Sequence, residues 1–145
     1  MNTQEILEMW DKDCNIDKTK LDDELALIPK LHSKYFNILI NEKYKLKIIE
    51  NNMKKLKVDK FEFYTQGYDE ESKAKGWKLP AKGTVIKTEV PMYMEADDDI
   101  IELSLKIGMQ QEKVDMIESI IKSLNNRGYN LKAAVDFMRY NKGEF

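Results

Sequence analysis

Residues 97–128 read DDDIIELSLKIGMQQEKVDMIESIIKSLNNRG, and their periodicity sets the expected architecture of the chain. Apolar side chains recur there in alternating steps of three and four, with one polar interruption at Gln110. We call this set the seam: Ile100, Leu103, Ile107, Val114, Ile117, Ile121 and Leu124. The aspartates before it can cap the first amides and oppose the positive end of the helix dipole. The stretch predicts a long coiled-coil-like helix that ends at Gly128, where glycine favours a C-terminal stop.

Further apolar residues of this stretch lie outside the seam. Ile101, Leu105 and Met109 are examples, so the helix is apolar on more than one side. A two-stranded coil would leave these side chains exposed to water. We therefore expect the helix to contact several neighbours and to serve in oligomerisation.

A second long helix is predicted between Lys30 and Tyr64, a range that contains neither glycine nor proline and has apolar residues at helical spacing. Such a helix would be roughly 50 Å long, too long to bury itself within a small monomer. Two shorter helices are expected before it, over residues 4–13 and from about Asp17 to Pro29. Proline lacks the amide donor, so a break or bend is expected there.

The middle of the chain lacks the helical periodicity of the segments on either side. Glycines and prolines punctuate residues 65–91, and Thr84–Val90 favours an extended strand. A last short helix is expected from Asn130 to Tyr140. The prediction is one mainly α domain over 1–145, with N-terminal helices (1–64), a loop and short β insertion (65–96) and C-terminal oligomerisation helices (97–145).

Composition argues against several classes of protein. With only Cys14 and His32 among the usual soft ligands, the chain can form neither an intramolecular disulfide nor a multi-cysteine zinc cluster. It has no nucleophile elbow, no phosphate-binding glycine loop and no HExxH motif. No apolar run approaches the roughly 18 residues that a membrane span needs. We expect a cytoplasmic protein without enzymatic activity, cofactor, metal or membrane attachment.

Charge is distributed unevenly along the chain. The formal net charge is −2, which alone argues against nucleic acid. Residues 1–29 carry three lysines and eight acids, a net of 3 − 8 = −5, and residues 61–145 carry twelve basic and fifteen acidic residues, a net of 12 − 15 = −3. Residues 30–60 carry nine lysines and three acids, a net of 9 − 3 = +6. A partner that is a polyanion would therefore meet this central block.

The end of this block has the composition of a single-strand binding segment. Lysines neutralise phosphates, and aromatic rings can stack on unpaired bases without regard to sequence. The candidate residues are Lys54, Lys55, Lys57, Lys60, Phe63 and Tyr64. The alternative interpretation is a solvated lysine face with aromatic residues that pack in the core and fix the helix end. A second, weaker basic patch runs from Lys73 to Lys87.

Several motifs resemble a known family when taken together. They are IDKTKL at 16–21, SKY at 33–35, VPMYMEAD at 90–97 and IIKSLNNRGYN at 120–130. In order and spacing they resemble the UvsY-like recombination, repair and single-stranded-DNA-binding proteins of tailed phages. The resemblance spans nearly the whole chain.

The resemblance implies a function. It implies a homo-oligomeric ring that binds single-stranded DNA, displaces the single-strand-binding protein and helps to load a RecA-like recombinase in the infected bacterial host. The family's DNA-binding motif, basic-x-basic-apolar-acidic-aromatic-aromatic, falls on residues 58–64. Lys60 fills the second basic position, but Val58 occupies the first, so Lys54, Lys55 or Lys57 must compensate. The alternative is a helical coiled-coil adaptor or structural protein that does not bind nucleic acid.

Overall fold

The computed structural model describes residues 1–143, and helices dominate this part of the chain. They are α1 (Thr3–Asp13), α2 (Leu21–Gln66), α3 (Glu70–Ala74), α4 (Val90–Glu95) and α5 (Asp98–Asn141). The prediction of a mainly α fold is confirmed. No strand occurs among residues 1–143, so the predicted β insertion is wrong. Within the same range, no helix is long and apolar enough to cross a bilayer.

α1 is a short helix with a complete N-terminal cap. The Asn2 side chain accepts a hydrogen bond from the Glu5 amide (2.8 Å), and the Glu5 carboxylate accepts one from the Asn2 amide (3.2 Å). The helix buries Ile6, and its Trp10 ring packs edge-on against Tyr35 of α2. Its C-cap is Cys14, whose thiol is exposed.

α2 continues through Pro29 for 46 residues, so of the predicted break or bend the break is wrong. A proline inside a helix costs about 3 kcal/mol because one hydrogen bond is lost and the ring crowds the preceding turn. Burial of Leu31, Tyr35 and Leu39 just beyond it offsets this cost by holding the following turns in place. α2 ends at Gln66, where Gly67 has φ +91° and its amide donates to the Phe63 carbonyl (2.9 Å).

The segment between α3 and α4 packs against the end of α2 without forming a strand. The Val85 amide donates to the Tyr64 carbonyl (2.8 Å), and the Val85 side chain is buried with Phe63, Tyr64 and Val90. A run of β-branched residues forms a strand only when a second strand satisfies its amides and carbonyls. No other described residues supply one, so the segment forms turns instead.

α5 also runs further than its sequence predicts. The expected stop at Gly128 and the separate helix from Asn130 to Tyr140 are wrong, because one helix continues from Asp98 to Asn141. Leu124 and Leu131, on either side of Gly128, are both buried. Packing of this face keeps the glycine helical, and a Cβ built there would lie 3.7 Å from Ile28 Cδ1, an ordinary contact distance.

The chain groups into two compact units, and each long helix contributes to both. The first unit comprises Met1–Lys43 and Glu112–Phe145, and the second comprises Tyr44–Gln111. The buried apolar residues of the first unit include Ile6, Leu31, Tyr35, Leu39, Val114, Ile117, Ile120, Leu124 and Leu131. Those of the second include Leu46, Phe63, Tyr64, Val85, Val90 and Ile100.

Most of the seam is covered within the subunit. Ile100, Val114, Ile117 and Leu124 are buried, and Ile117 has no exposed surface at all. Leu103, Ile107 and Ile121 are partly buried. Outside the seam, Ile120 is also buried, whereas Ile101, Leu105 and Met109 expose 42%, 64% and 72% of their surface. The apolar surface that α5 leaves open to a second chain therefore lies outside the seam.

A buried arginine joins three segments of the first unit. The Arg127 guanidinium of α5 donates to the carbonyls of Asp13 (2.8 Å) and Asn15 (3.0 Å) and to the Glu24 carboxylate of α2 (3.3 Å). The planar fork of arginine presents donors on separate nitrogens, so it reaches acceptors on different segments, whereas a lysine ammonium donates from one nitrogen only. Arg127 therefore fixes the connection between α1 and α2 against α5.

Replacing Arg127 with lysine tests this role. Arg127→Lys keeps the charge but leaves the partly buried carbonyl contacts of Asp13 and Asn15 without their guanidinium donor, and we expect it to lower the free energy of unfolding by about 1–3 kcal/mol. Urea unfolding followed by circular dichroism measures the change. Arg139→Lys is the matched control, because Arg139 is exposed and pairs with no acid among residues 1–143. Equal unfolding midpoints for the two variants would contradict the assignment.

Candidate nucleic-acid interface

The last third of α2 separates its lysines onto two sides. Lys54, Lys55 and Lys57 are exposed, and none of them forms an ion pair with another residue of the described chain, 1–143. Lys60, in contrast, is only 3% exposed. The 3.6-residue helical period causes this separation, because residue 60 lies on the same side as the partly buried Met53 and Leu56.

The Lys60 ammonium is held between two carboxylates. Its Nζ lies 3.0 Å from Asp97 Oδ2 and 2.8 Å from Asp99 Oδ2. The same nitrogen lies 4.0 Å from the centre of the Trp77 ring, within the range of a cation–π interaction. The buried charge is thus compensated by two anions and an aromatic face. In this arrangement Lys60 is not available to a phosphate.

Asp97 accepts hydrogen bonds from three further groups. Its Oδ1 accepts hydrogen bonds from the amides of Asp99 (3.0 Å) and Ile100 (3.1 Å), which confirms the predicted cap of α5. Its Oδ2 accepts one from the Tyr64 hydroxyl (2.6 Å). Burial alone would raise the pKa of the Asp97 carboxyl, but the hydrogen bonds from Tyr64 and Lys60 outweigh it and hold that pKa below its usual value. Asp97 is therefore a carboxylate at neutral pH.

Phe63 and Tyr64 lie in the core of the second unit. Phe63 contacts the rings of Tyr64, Tyr68 and Trp77 at centroid separations near 5.5 Å, and Tyr64 lies 6.1 Å from the Tyr93 ring. Burial, together with the Asp97 carboxylate, raises the pKa of the Tyr64 hydroxyl above its ordinary range, so the hydroxyl remains a donor. Both rings are positioned to fix the end of α2 rather than to stack on bases.

Phe61 is an exposed aromatic residue beside these lysines that is absent from the candidates predicted from the sequence. It is 38% exposed, and it follows Lys54 by seven residues and Lys57 by four. These spacings place the three residues along one side of a helix. The spacing i, i+3 and i+7 in the sequence already groups Phe61 with Lys54 and Lys57. The motif at residues 58–64 requires only an apolar residue at position 61, so it did not single out this ring. Val58, at the missing basic position, is also exposed.

The weaker basic patch is partly engaged within the second unit. Lys82 forms an ion pair with Glu89 and lies 5.4 Å from the centre of the Tyr93 ring, and Lys75 lies 5.0 Å from the centre of the Trp77 ring. Among residues 1–143, no group of three or more His, Cys, Asp or Glu side chains could hold a metal ion. The exposed cationic surface of α2 is thus the candidate interface of this unit.

Comparison with known proteins gives two findings. The sequence profile of the family described as "Recombination, repair and ssDNA binding protein UvsY" matches residues 9–144. Crystal structures of the bacteriophage T4 recombination mediator protein UvsY are similar in fold. One has a TM-score of 0.80 at 22% identity and covers 98% of each chain; another, in a different lattice, has a TM-score of 0.78 at 21% identity and covers 97% of this chain and 99% of that one. No curated protein matches the sequence.

The stabilities of two lysine variants test whether Lys60 has a structural role that the exposed lysines lack. Lys60→Met leaves Asp97 buried without its cation, and we expect a loss of about 3–5 kcal/mol in the free energy of unfolding. Lys57→Met, on the exposed side of the same helix, should change it by less than about 0.5 kcal/mol. Chemical denaturation of both variants provides the measurement. A Lys60→Met protein as stable as Lys57→Met would show that the ion pair does not hold the unit together.

Proposed function

Because the chain belongs to the UvsY family of recombination, repair and single-stranded-DNA-binding proteins, we propose that it is a recombination mediator. It binds single-stranded DNA, displaces the single-strand-binding protein and promotes loading of a RecA-like recombinase. It does so without catalysing a reaction, in the cytoplasm of the infected bacterial host. The observation that carries this proposal is a run of exposed, unpaired lysines on α2 in a chain of this family.

The phosphate contacts come from Lys54, Lys55 and Lys57. These three side chains are exposed, and no described carboxylate competes with a phosphate for them. Binding a phosphate releases condensed counterions, which drives association with any single strand whatever its sequence. Phe61, beside them on α2, offers a ring face to a base. The lysines together compensate for the uncharged Val58.

Lys60, Phe63 and Tyr64 support binding indirectly. They fix the last turns of α2, so the exposed lysines are presented from a rigid element. Binding to charges on a fixed helix costs less conformational entropy than binding to charges on a mobile loop, because the loop must first be ordered. The family's second basic position, Lys60, therefore acts here through Asp97 and Asp99 rather than through DNA.

Assembly of identical subunits raises the effect of each weak site. One subunit offers few phosphate contacts, whereas linked copies increase the effective concentration for every later contact on the same strand. We assign the contact between subunits to the exposed side of α5 around Ile101, Leu105 and Met109. Those side chains are open to solvent in the single chain, and apolar surface of this kind is stabilised when a second chain covers it.

Displacement and loading follow from binding by many copies. A strand held by a ring at repeated phosphates is removed from its protective protein, because both proteins need the same backbone. The strand is held by flexible, salt-sensitive contacts rather than by base readout, so a recombinase can take over the exposed bases. This is an exchange of partners, and it needs no nucleotide hydrolysis by the mediator itself.

The lysine assignment predicts a change in salt dependence. Each of Lys54→Ala, Lys55→Ala and Lys57→Ala should flatten the slope of log affinity against log salt by about 0.7 for a labelled oligonucleotide. Lys106→Ala is the control, since Lys106 is exposed but lies within ion-pair distance of Glu102 (3.6 Å). Unchanged slopes in all three variants would remove these lysines from the interface. A wild-type protein that does not bind single strands at low salt would leave the adaptor alternative.

The oligomer assignment predicts opposite outcomes for two residues of α5. Leu105→Asp places a charge on the open apolar side and should dissociate the assembly while the subunit stays folded. Ile117→Asp places a charge in the core of the subunit, which costs several kcal/mol and should unfold it. Light scattering gives the mass, and thermal melting gives the folded state. A Leu105→Asp protein of wild-type mass would show that subunits meet elsewhere.

A further inference from the structure

A second group of positive side chains surrounds a cavity in the first unit. The cavity has a volume of about 470 Å³ and lies where the segment before α2 meets the last turns of α5. Lys18 and Lys20 come from the first segment, Arg139 comes from the last turn of α5, and Lys142 follows the end of that helix. More than a hundred positions of sequence separate the two pairs, so the fold, not local sequence, brings them together.

These four cations outnumber the acids around the cavity. All four side chains are exposed, and none forms an ion pair within the described range 1–143. Like charges that converge in this way repel one another. Arg139 gains something from the negative end of the α5 dipole, but Lys18 and Lys20 precede the positive end of α2, where cations are unfavourable. Stabilisation of α2 therefore does not explain why lysines occur at positions 18 and 20.

The cavity also contains acids and an apolar wall. Asp22 and Asp23 line it from the first turn of α2, where they oppose the helix dipole, so the formal charge of the lining is 4 − 2 = +2. Val135 and Met138 supply apolar surface on the α5 side. Cations beside apolar side chains suit a ligand that combines phosphates with sugars and bases. A purely inorganic anion would leave the apolar part unused.

We propose that this cavity is a second binding site for the phosphodiester backbone of single-stranded nucleic acid, separate from the lysines on α2. The inference rests on the proposed function, and it adds a contact in the first unit to the one in the second. Lysines and arginines that remain exposed reach a flexible polymer readily, whereas a small metabolite would need enclosure to be held.

Salt titrations with a thirty-nucleotide oligothymidylate test the proposal. Lys18→Gln/Lys20→Gln and Arg139→Gln/Lys142→Gln should each flatten the log–log slope by about 1.4, at about 0.7 for each lost contact. Met138→Lys adds a cation to the cavity wall and should steepen the slope by about 0.7. Lys122→Gln/Lys132→Gln is the matched control, because both lysines are exposed on α5 and neither lines this cavity. Unfolding curves check that each variant keeps wild-type stability.

The outcomes separate this inference from the proposed function. Slopes that change in the cavity variants and not in the control support the second site. If the α2 lysine variants alter the slope but the cavity variants and Met138→Lys do not, the second site is wrong and the proposed function stands. A cavity double variant that loses binding to polyglutamate while keeping the DNA slope would also overturn the inference, since it would assign the cavity to an acidic protein segment. A wild-type chain that does not bind the oligonucleotide at all would overturn both.

Discussion

The ammonium of Lys60, enclosed by Asp97, Asp99 and the Trp77 ring, is the interaction on which the second unit depends. One charge joins the end of α2, the segment after α3 and the start of α5. Apolar packing by itself is non-directional and would leave these segments free to slide. A buried cation with two anionic partners specifies one register, because any displacement leaves a charge without compensation. The Tyr64 hydroxyl, one turn further along α2, donates a hydrogen bond to Asp97 and stabilises the same arrangement.

This arrangement gives neighbouring lysines different tasks. Lysines at 54, 55 and 57 face water, while the lysine at 60 faces the core, although all four belong to one basic run. In the proposed function, a single strand meets the exposed lysines on α2, and the buried Lys60 anchors the end of that helix without contacting the strand. Loss of binding in a Lys60 variant would by itself say nothing about contact with DNA.

The sequence predicted the helices well and their ends poorly. Periodicity located α1, α2 and α5, and the aspartates at 97–99 were correctly assigned as a cap. The predicted break at Pro29 and the predicted stop at Gly128 are wrong because nearby side chains are buried: Leu31 follows Pro29, and Leu124 and Leu131 flank Gly128. Burial outweighs a local preference of a few kcal/mol. The run Thr84–Val90 has the composition of a strand, yet a strand depends on a partner that a single segment cannot reveal.

The candidate site residues likewise depend on contacts that are distant in sequence. The helical period places Lys60 on the side of Met53 and Leu56, but the neighbouring sequence does not reveal the carboxylates that neutralise it, because Asp99 lies 39 positions away. Phe63 and Tyr64 matched the family motif, but the motif does not distinguish a ring that stacks on bases from one that packs in a core. Lys54, Lys55 and Lys57 remain candidates, and their exposure follows from the 3.6-residue period of the helix.

The exposed thiol at the C-cap of α1 has a practical consequence for handling the protein. Since each chain holds one cysteine, oxidation in air can link chains only in pairs, through a disulfide between two Cys14 residues. A covalent dimer that disappears with dithiothreitol is thus a product of storage, and preparations kept reduced are needed before any mass is attributed to native assembly.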